Sequence, residues 1–228
     1  IIEAAISKKN EMDRLKSMIK PDSAIITHIG KKHHTTLGDL GQREQEMIKL
    51  VEDVPANSWV LLPNSLSNNP NVTKIKATIY NWGNDSFLPF AKMTSEKHQS
   101  KMGYEVIFPC GTRYLGETTS GYHYFLDLLN IALKAAFLEN ISIEAICRVL
   151  NDYQFEPMKT ELWQSQIGST FINDTYCSDP QSVDQSLKQF TNASPNQRKT
   201  FIFSGMRGEN AHIEADYKRI GQAITKAN

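Results

Sequence analysis

The sequence predicts an α/β fold: a mostly parallel sheet flanked by helices, with an antiparallel edge, plus part of a second α/β domain. Three observations predict it. An apolar run, a helical repeat and another apolar run follow one another within about thirty residues at the start of the chain, and such a βαβ crossover implies parallel strands. Residues 72–120 then change to short β-type runs separated by turn residues. Beyond Pro157, strand-like and helix-like segments alternate afresh.

Ile1-Ile2-Glu3-Ala4-Ala5 reads as the end of a buried strand. Met12, Leu15, Met18 and Ile19 recur at helical spacing from Glu11 to Ile19, and Pro21-Asp22 stops that helix before the strand Ala24-Ile25-Ile26-Thr27. Gly38 to Val54 reads as a helix with Met47, Ile48, Leu50 and Val51 on its apolar side, followed by the strand Ser58 to Leu62. Lys74 to Tyr80, Tyr104 to Phe108 and Thr112 to Leu115 are expected as antiparallel strands at the sheet edge. Tyr124 to Leu138 is strongly helical, and Ser142 opens a second helix with Glu144 in its first turn. After Pro157 come β-type runs at Glu161 to Gln166 and Thr170 to Ile172, a helix from Ser182 to Phe190, a strand from Thr200 to Ser204 and a helix from Ile213 to Thr225. A domain boundary is expected near Met158, dividing residues 1–158 from 159–228.

The chain has 228 residues with 25 acidic and 25 basic side chains, a balance that gives no electrostatic reason to expect nucleic acid or a membrane surface as partner. No apolar run approaches the roughly 20 residues of a membrane span, and the start does not read as a signal peptide. The chain opens on Ile1-Ile2-Glu3 rather than Met, so a piece of a longer protein is expected. Cys110, Cys147 and Cys177 are widely spaced and match no metal-ligand pattern, which argues against a disulfide or zinc framework and for a reducing cytoplasm. Cys177 lies in a polar turn where it could act as a nucleophile, but no His motif pairs with it in sequence.

The segment richest in chemistry is Phe171-Ile172-Asn173-Asp174-Thr175-Tyr176-Cys177-Ser178-Asp179-Pro180. An apolar strand stops there on a polar, Pro-terminated turn, delivering Asp174, Thr175 and Tyr176 to the carboxyl rim of a sheet, where ligands of α/β proteins collect. The segment resembles the "D-D-T/S-Y-N-A-N-P-x-S" signature of the Mur ligase family, with Asp174, Pro180 and Ser182 matching and Asn173, Cys177 and Asp179 departing. Other segments resemble the same family in the same order, most closely its MurF branch. Ser7-Lys8-Lys9-Asn10-Glu11-Met12 is similar to "S-x-P-G-E-M", Ile26 to His33 to "I-T-N-I-G-x-A-H", and Gly121-Tyr122-His123-Tyr124 to "G-x-H-N". Gly205-Met206-Arg207-Gly208-Glu209 sits where the family has a Gly-and-acid loop.

The resemblance implies an ATP-dependent amide ligase of peptidoglycan precursor synthesis, cytoplasmic and monomeric, using ATP and Mg²⁺. Its substrates would be a UDP-linked muramoyl peptide and D-alanyl-D-alanine, joined through an acyl phosphate. It further implies most of a central ATPase domain and the start of a Rossmann-like C-terminal domain. Glu3 and His33 would bind Mg²⁺. His123, Tyr124, Asp127 and Asp174 would contact the nucleotide, and Lys159 would stand for the hinge Arg, with Lys159 and Asp174 catalytic. On residues alone, Glu3 could equally be a solvent-facing strand end, His28, His33 and His34 an exposed polar loop, and Asp174 a turn cap.

Several residues depart from the family. Its modified, carbamoylated Lys falls at Met47, and Lys49 is turned about 200° around the helix from that position. Asp127 stands where an Asn would meet the nucleotide, and Lys159 loses the bidentate fork of Arg. The Walker-type glycine loop does not occur in these residues and is expected before Ile1. A catalytically silent relative kept for binding or scaffolding therefore stands beside the ligase. A Rossmann oxidoreductase would need a G-x-G-x-x-G loop, and the chain has none.

Overall fold

Two apolar runs, Ala24-Ile25 and Trp59 to Pro63, lie side by side as parallel strands in the computed structural model, which describes residues 1–30, 34–83, 89–98, 101–118, 123–154, 158–176, 178–192, 198–206 and 213–227. In chain order the first half holds α1 (Glu11–Met18), β1 (Ala24–Ile25), α2 (His34–Leu37), α3 (Leu40–Glu52), β2 (Trp59–Pro63), β3 (Thr78–Trp82), β4 (Phe90–His98), β5 (Lys101–Ile107) and β6 (Arg113–Thr118). The second half holds α4 (His123–Leu138), α5 (Ile143–Asp152), β7 (Glu161–Gln164), β8 (Thr170–Asn173), α6 (Pro180–Asn192) and α7 (Ile213–Ala227). These elements divide into two units, residues 1–90 with 127–142, and residues 91–126 with 143–228.

The first unit is a parallel sheet in the order β1-β2-β3. The run Val60-Leu61-Leu62 is apolar at every position because both faces of β2 are covered. Val60 and Leu62 join Ile26, Ile48, Val51 and Val54 on the α3 side, whereas Leu61 and Trp82 pack on Ile131 of α4. Each such side chain, fully buried, contributes roughly 1.5–3 kcal/mol.

Helix α3 begins with a reciprocal cap. Gln42 N–H donates to Asp39 Oδ1 at 2.8 Å, and Asp39 N–H donates to Gln42 Oε1 at 3.2 Å. Gly38, at φ +86°, leaves room for that exchange, since a Cβ there would sit 1.6 Å from Gln42 Oε1. Helix α1 is fastened to α3 by Lys16 on Asp53 at 2.8 Å and by Lys49 between Asp13 and Glu46, both at 2.7 Å. Glu46, nearly buried, also accepts the Asn10 N–H at 3.0 Å. Partial burial pushes the Lys49 amine down, but its hydrogen bonds to Asp13 and Glu46 outweigh that and hold its pKa above the ordinary lysine value.

Two expectations for this unit are corrected. Residues 1–5 are not a strand: Ile1 and Ile2 are exposed, and residues 1–7 pair with no strand among the described residues. A strand persists only as part of a hydrogen-bonded ladder, so apolar content alone does not make one. The run expected as an antiparallel edge at Lys74 to Tyr80 is instead β3, which pairs parallel to β2 with Trp59 opposite Thr78 and Leu61 opposite Tyr80. The crossover that reverses the chain contains two short 3₁₀ turns, Asn64–Leu66 and Pro70–Lys74, rather than an α-helix.

The second unit opens with the sheet β4-β5-β6, where β5 and β6 are antiparallel as expected and Tyr104 faces Gly116. A tight turn closes this hairpin: Phe108 N–H donates to Thr112 O and Gly111 N–H to Phe108 O, each at 2.9 Å. Glu105 on β5 is held from both sides, by Lys92 of β4 at 3.2 Å and Arg113 of β6 at 3.0 Å. Tyr104 crosses over Gly116 and meets Phe125 edge-on, ring centroids 5.4 Å apart.

Beyond α5, β7 and β8 form an antiparallel hairpin, with Leu162 opposite Ile172. Strand β8 is not buried: Phe171 is 44% exposed and stacks on the equally exposed Trp163 at 4.4 Å. A two-stranded hairpin has no second layer on that face, so its aromatic side chains cover each other. Helices α6 and α7 pack through Val183, Leu187 and Ile220, with Phe201 and Phe203 against them. The strand expected at Thr200 to Ser204 is irregular backbone, for it enters no ladder with another described segment.

Candidate active site

Asp174 is placed by the end of β8, and its carboxylate is spent on fixing the chain around it. Its Oδ1 accepts the Thr160 N–H at 3.1 Å and the Thr160 Oγ1 hydroxyl at 3.2 Å. Its Oδ2 accepts the Ser186 hydroxyl from α6. The Tyr176 N–H donates to Met158 O at 3.2 Å, and the Lys159 ammonium lies 4.5 Å from the centre of the Tyr176 ring. Glu161 closes the other side, accepting from Asn173 Nδ2 at 3.1 Å.

The turn held in this way is strained. Met158 has φ +65° and Thr160 φ +54°, the left-handed region, in which a β-branched residue such as Thr is an outlier. Such a residue costs about 1–3 kcal/mol. Two hydrogen bonds to a carboxylate, about 1.5–3 kcal/mol each, offset that cost, and Thr160 is buried with them. Asp174 therefore caps a turn, as its residue type allows, and ties together Thr160, the β8 end and α6.

Helix α6 starts on Pro180, a residue suited to a first helical position, and Asp179 caps it. Asp179 accepts the Ser182 N–H at 3.2 Å and the Ser182 hydroxyl at 2.6 Å. A cleft of about 1000 Å³ lies alongside, with Asp174, Tyr176 and Ser186 on one part of its wall and Trp163, Phe171 and Phe203 on another.

The sequence-derived residues divide into groups. Lys159 and Asp174 are brought together, through Thr160 and Tyr176. Glu3 is an exposed carboxylate on irregular backbone, not at a strand end. His123 and Tyr124 open α4, and Asp127 lies one turn further on, exposed. His33 and Cys177 lie outside the described residues. Met47, on α3, packs against the core, and Lys49 is occupied by Asp13 and Glu46. Among the described residues no group of three or more His, Cys, Asp or Glu is placed to hold a metal ion. Sequence reasoning missed Thr160 and Ser186, because neither a threonine inside a turn nor a serine inside a helix carries a mark of its partner.

Comparison with known proteins assigns the class. A model of the Mur ligase middle domain matches residues 1–114, and the chain belongs to the Mur ligase family. It is 23% identical over 231 aligned residues to the UDP-N-acetylmuramoyl-tripeptide–D-alanyl-D-alanine ligase of Bacillus subtilis (strain 168), covering 99% of this chain and 48% of that protein. Its fold matches that of MurF from Acinetobacter baumannii, with a TM-score of 0.77 and 16% identity over 95% of this chain and 47% of the other. It also matches MurF from Thermotoga maritima, a structure in complex with ADP, with a TM-score of 0.71 and 11% identity over 96% of this chain and 50% of the other. The chain thus spans about half the length of the relatives it matches. Among the described residues no helix is long and apolar enough to cross a membrane.

Proposed function

We propose that this chain serves an ATP-dependent carboxylate–amine ligase that adds D-alanyl-D-alanine to a UDP-linked muramoyl tripeptide in the cytoplasm. The observation that carries it is the family match together with similarity to the Bacillus subtilis ligase along 99% of the chain. In the proposed reaction the γ-phosphoryl group of ATP passes to the peptide carboxylate and ADP leaves. The dipeptide amine then attacks the acyl carbon, forming the amide and expelling phosphate. Residues 1–158 would belong to the central domain and 159–228 to the start of the C-terminal domain.

In this reading Asp174 and Lys159 are the catalytic pair of the C-terminal part, the ammonium of Lys159 offering positive charge where phosphoryl charge develops. His123, Tyr124 and Asp127, at the start of α4, are proposed as the nucleotide contacts. Glu3 and His33 are proposed as Mg²⁺ ligands, Glu3 being exposed and so available. One observation favours the silent alternative: at the position counted for the family's modified lysine, Met47 packs on the core, and a thioether cannot be carbamoylated.

The test is phosphate release by the full-length protein given ATP, the UDP-linked tripeptide and D-alanyl-D-alanine. Release that requires the dipeptide, and falls by orders of magnitude in Glu3→Ala and Asp174→Ala, supports the ligase. Substrate binding with no phosphate release would establish the binding protein in its place.

A further inference from the structure

Two non-glycine residues in left-handed conformations flank a single lysine at Met158-Lys159-Thr160, and every described hydrogen bond that Thr160 makes ends on Asp174. Strain of this kind persists only where its surroundings over-determine it, and such positions cluster at functional sites. Here the surroundings are four groups from three segments, β7, the end of β8 and α6. Asp174 accepts from the Thr160 amide and hydroxyl, the Tyr176 N–H donates to Met158 O, Glu161 accepts the Met158 N–H at 3.4 Å, and the Ser186 hydroxyl donates to the far oxygen of Asp174. The Ser186 hydroxyl also lies 3.1 Å from Ser182 O within α6, so its single proton is shared between that carbonyl and the carboxylate.

We propose that Thr160 and Ser186 are positioning residues: together they latch the 158–160 turn onto Asp174 and so set where the Lys159 ammonium stands. The inference rests on the reading of Lys159 and Asp174 as site residues given above. Without the latch, Thr160 would relax to an ordinary φ, and Lys159, carried between the two strained residues, would leave the face of the Tyr176 ring.

The latch has a readout independent of catalysis. Trypsin cleaves after lysine and accepts an extended chain, so the Lys159–Thr160 bond is a poor substrate while Thr160 is left-handed and buried, and cleavage reports local opening. The experiment is limited trypsin digestion of the full-length protein, with the 159–160 cut quantified by mass spectrometry, alongside turnover of ATP. Ser186→Ala should raise the cleavage rate roughly tenfold, the factor carried by one hydrogen bond to a charged group. Alanine is the better helix former, so a faster cut would not come from a weakened α6. Thr160→Val, which keeps the β-branch and loses the hydroxyl, should open the turn as well. Thr160→Gly, which also loses the hydroxyl but removes the strain and keeps the amide, should be cut more slowly than Thr160→Val.

Unchanged cleavage in both Ser186→Ala and Thr160→Val would overturn the latch, whatever the activity. Faster cleavage with reduced turnover in both Ser186→Ala and Thr160→Val would support it. Faster cleavage with unchanged turnover would keep the latch and overturn the placing of Lys159 and Asp174 in the reaction.

Discussion

Replacing Gly116 with alanine should be among the more damaging single-methyl changes in the second unit, although the residue sits on an ordinary β-hairpin. A Cβ at this position would lie 2.3 Å from Tyr104 Cζ and 2.5 Å from its hydroxyl oxygen. The ring cannot swing aside freely. It is buried, tilted against Tyr114 at 6.2 Å and edge-on to Phe125 at 5.4 Å. Burial, the foremost cause, with the neighbouring Tyr114, pushes its hydroxyl well above the usual tyrosine range. Either Tyr104 leaves its slot or the ladder spreads at the pair it forms with Gly116. Overpacking of this kind costs about 2 kcal/mol. For a chain of this size that is a Tm lowered by roughly 4–8 °C.

The assay is thermal unfolding followed by amide exchange across β5 and β6, with the Tyr104→Ala background as control. Once the ring is gone the added methyl has room, so Gly116→Ala should then cost little. An unchanged Tm in the single variant, or the same cost with and without the ring, would refute the steric argument.

Two further outcomes follow from protonation. The Cys110 thiol is exposed and held below the ordinary cysteine value by its hydrogen bond to Thr112, whereas burial, then Glu144, pushes Cys147 up. At neutral pH iodoacetamide should therefore label Cys110 ahead of Cys147, and Thr112→Val should slow the labelling of Cys110; equal rates at both thiols would contradict this. Lys49 has a folded pKa above its unfolded one, so its contribution to the α1–α3 contact is complete below the ordinary lysine value of 10.5 and is lost as pH rises through the higher folded value. Lys49→Gln should remove part of the alkaline loss of stability, and an alkaline unfolding limb identical to wild type would count against the Asp13–Lys49–Glu46 bridge.

Legibility in the sequence tracked how local the cause was. Helices α3, α4, α6 and α7 announce themselves by apolar spacing, and the β5–β6 hairpin by the Pro109-Cys110-Gly111 turn between alternating runs. The direction of β3 was not legible, because parallel pairing is inferred from a helical crossover and this crossover is built of 3₁₀ turns without helical periodicity. Strand β4 was missed: its charged and polar positions disguise it, and Lys92 has its reason for being there only once Glu105 of β5 is beside it. At the candidate site, Asp174 was visible as a polar stop after an apolar strand. Its partners were not, since Thr160 adopts the conformation least expected of a β-branched residue and Ser186 looks like any serine on a polar helix face. The family resemblance pointed to Asp174 through its signature and to Lys159 through its hinge Arg, and only the fold revealed what holds them.

The parallel sheet of the first unit has its two faces closed by segments far apart in the chain. The α3 side is complete by Ile79, but Leu61 and Trp82 on the other side wait for Ile131 of α4, with the β4-β5-β6 sheet encoded in between. On a ribosome adding roughly 5–20 residues per second, several seconds separate the emergence of β3 from that of the helix that covers it. During that interval Leu61 and Trp82 lack the Ile131 side chain that covers them, and a chaperone that holds the chain for a few seconds would shield that apolar face from aggregation.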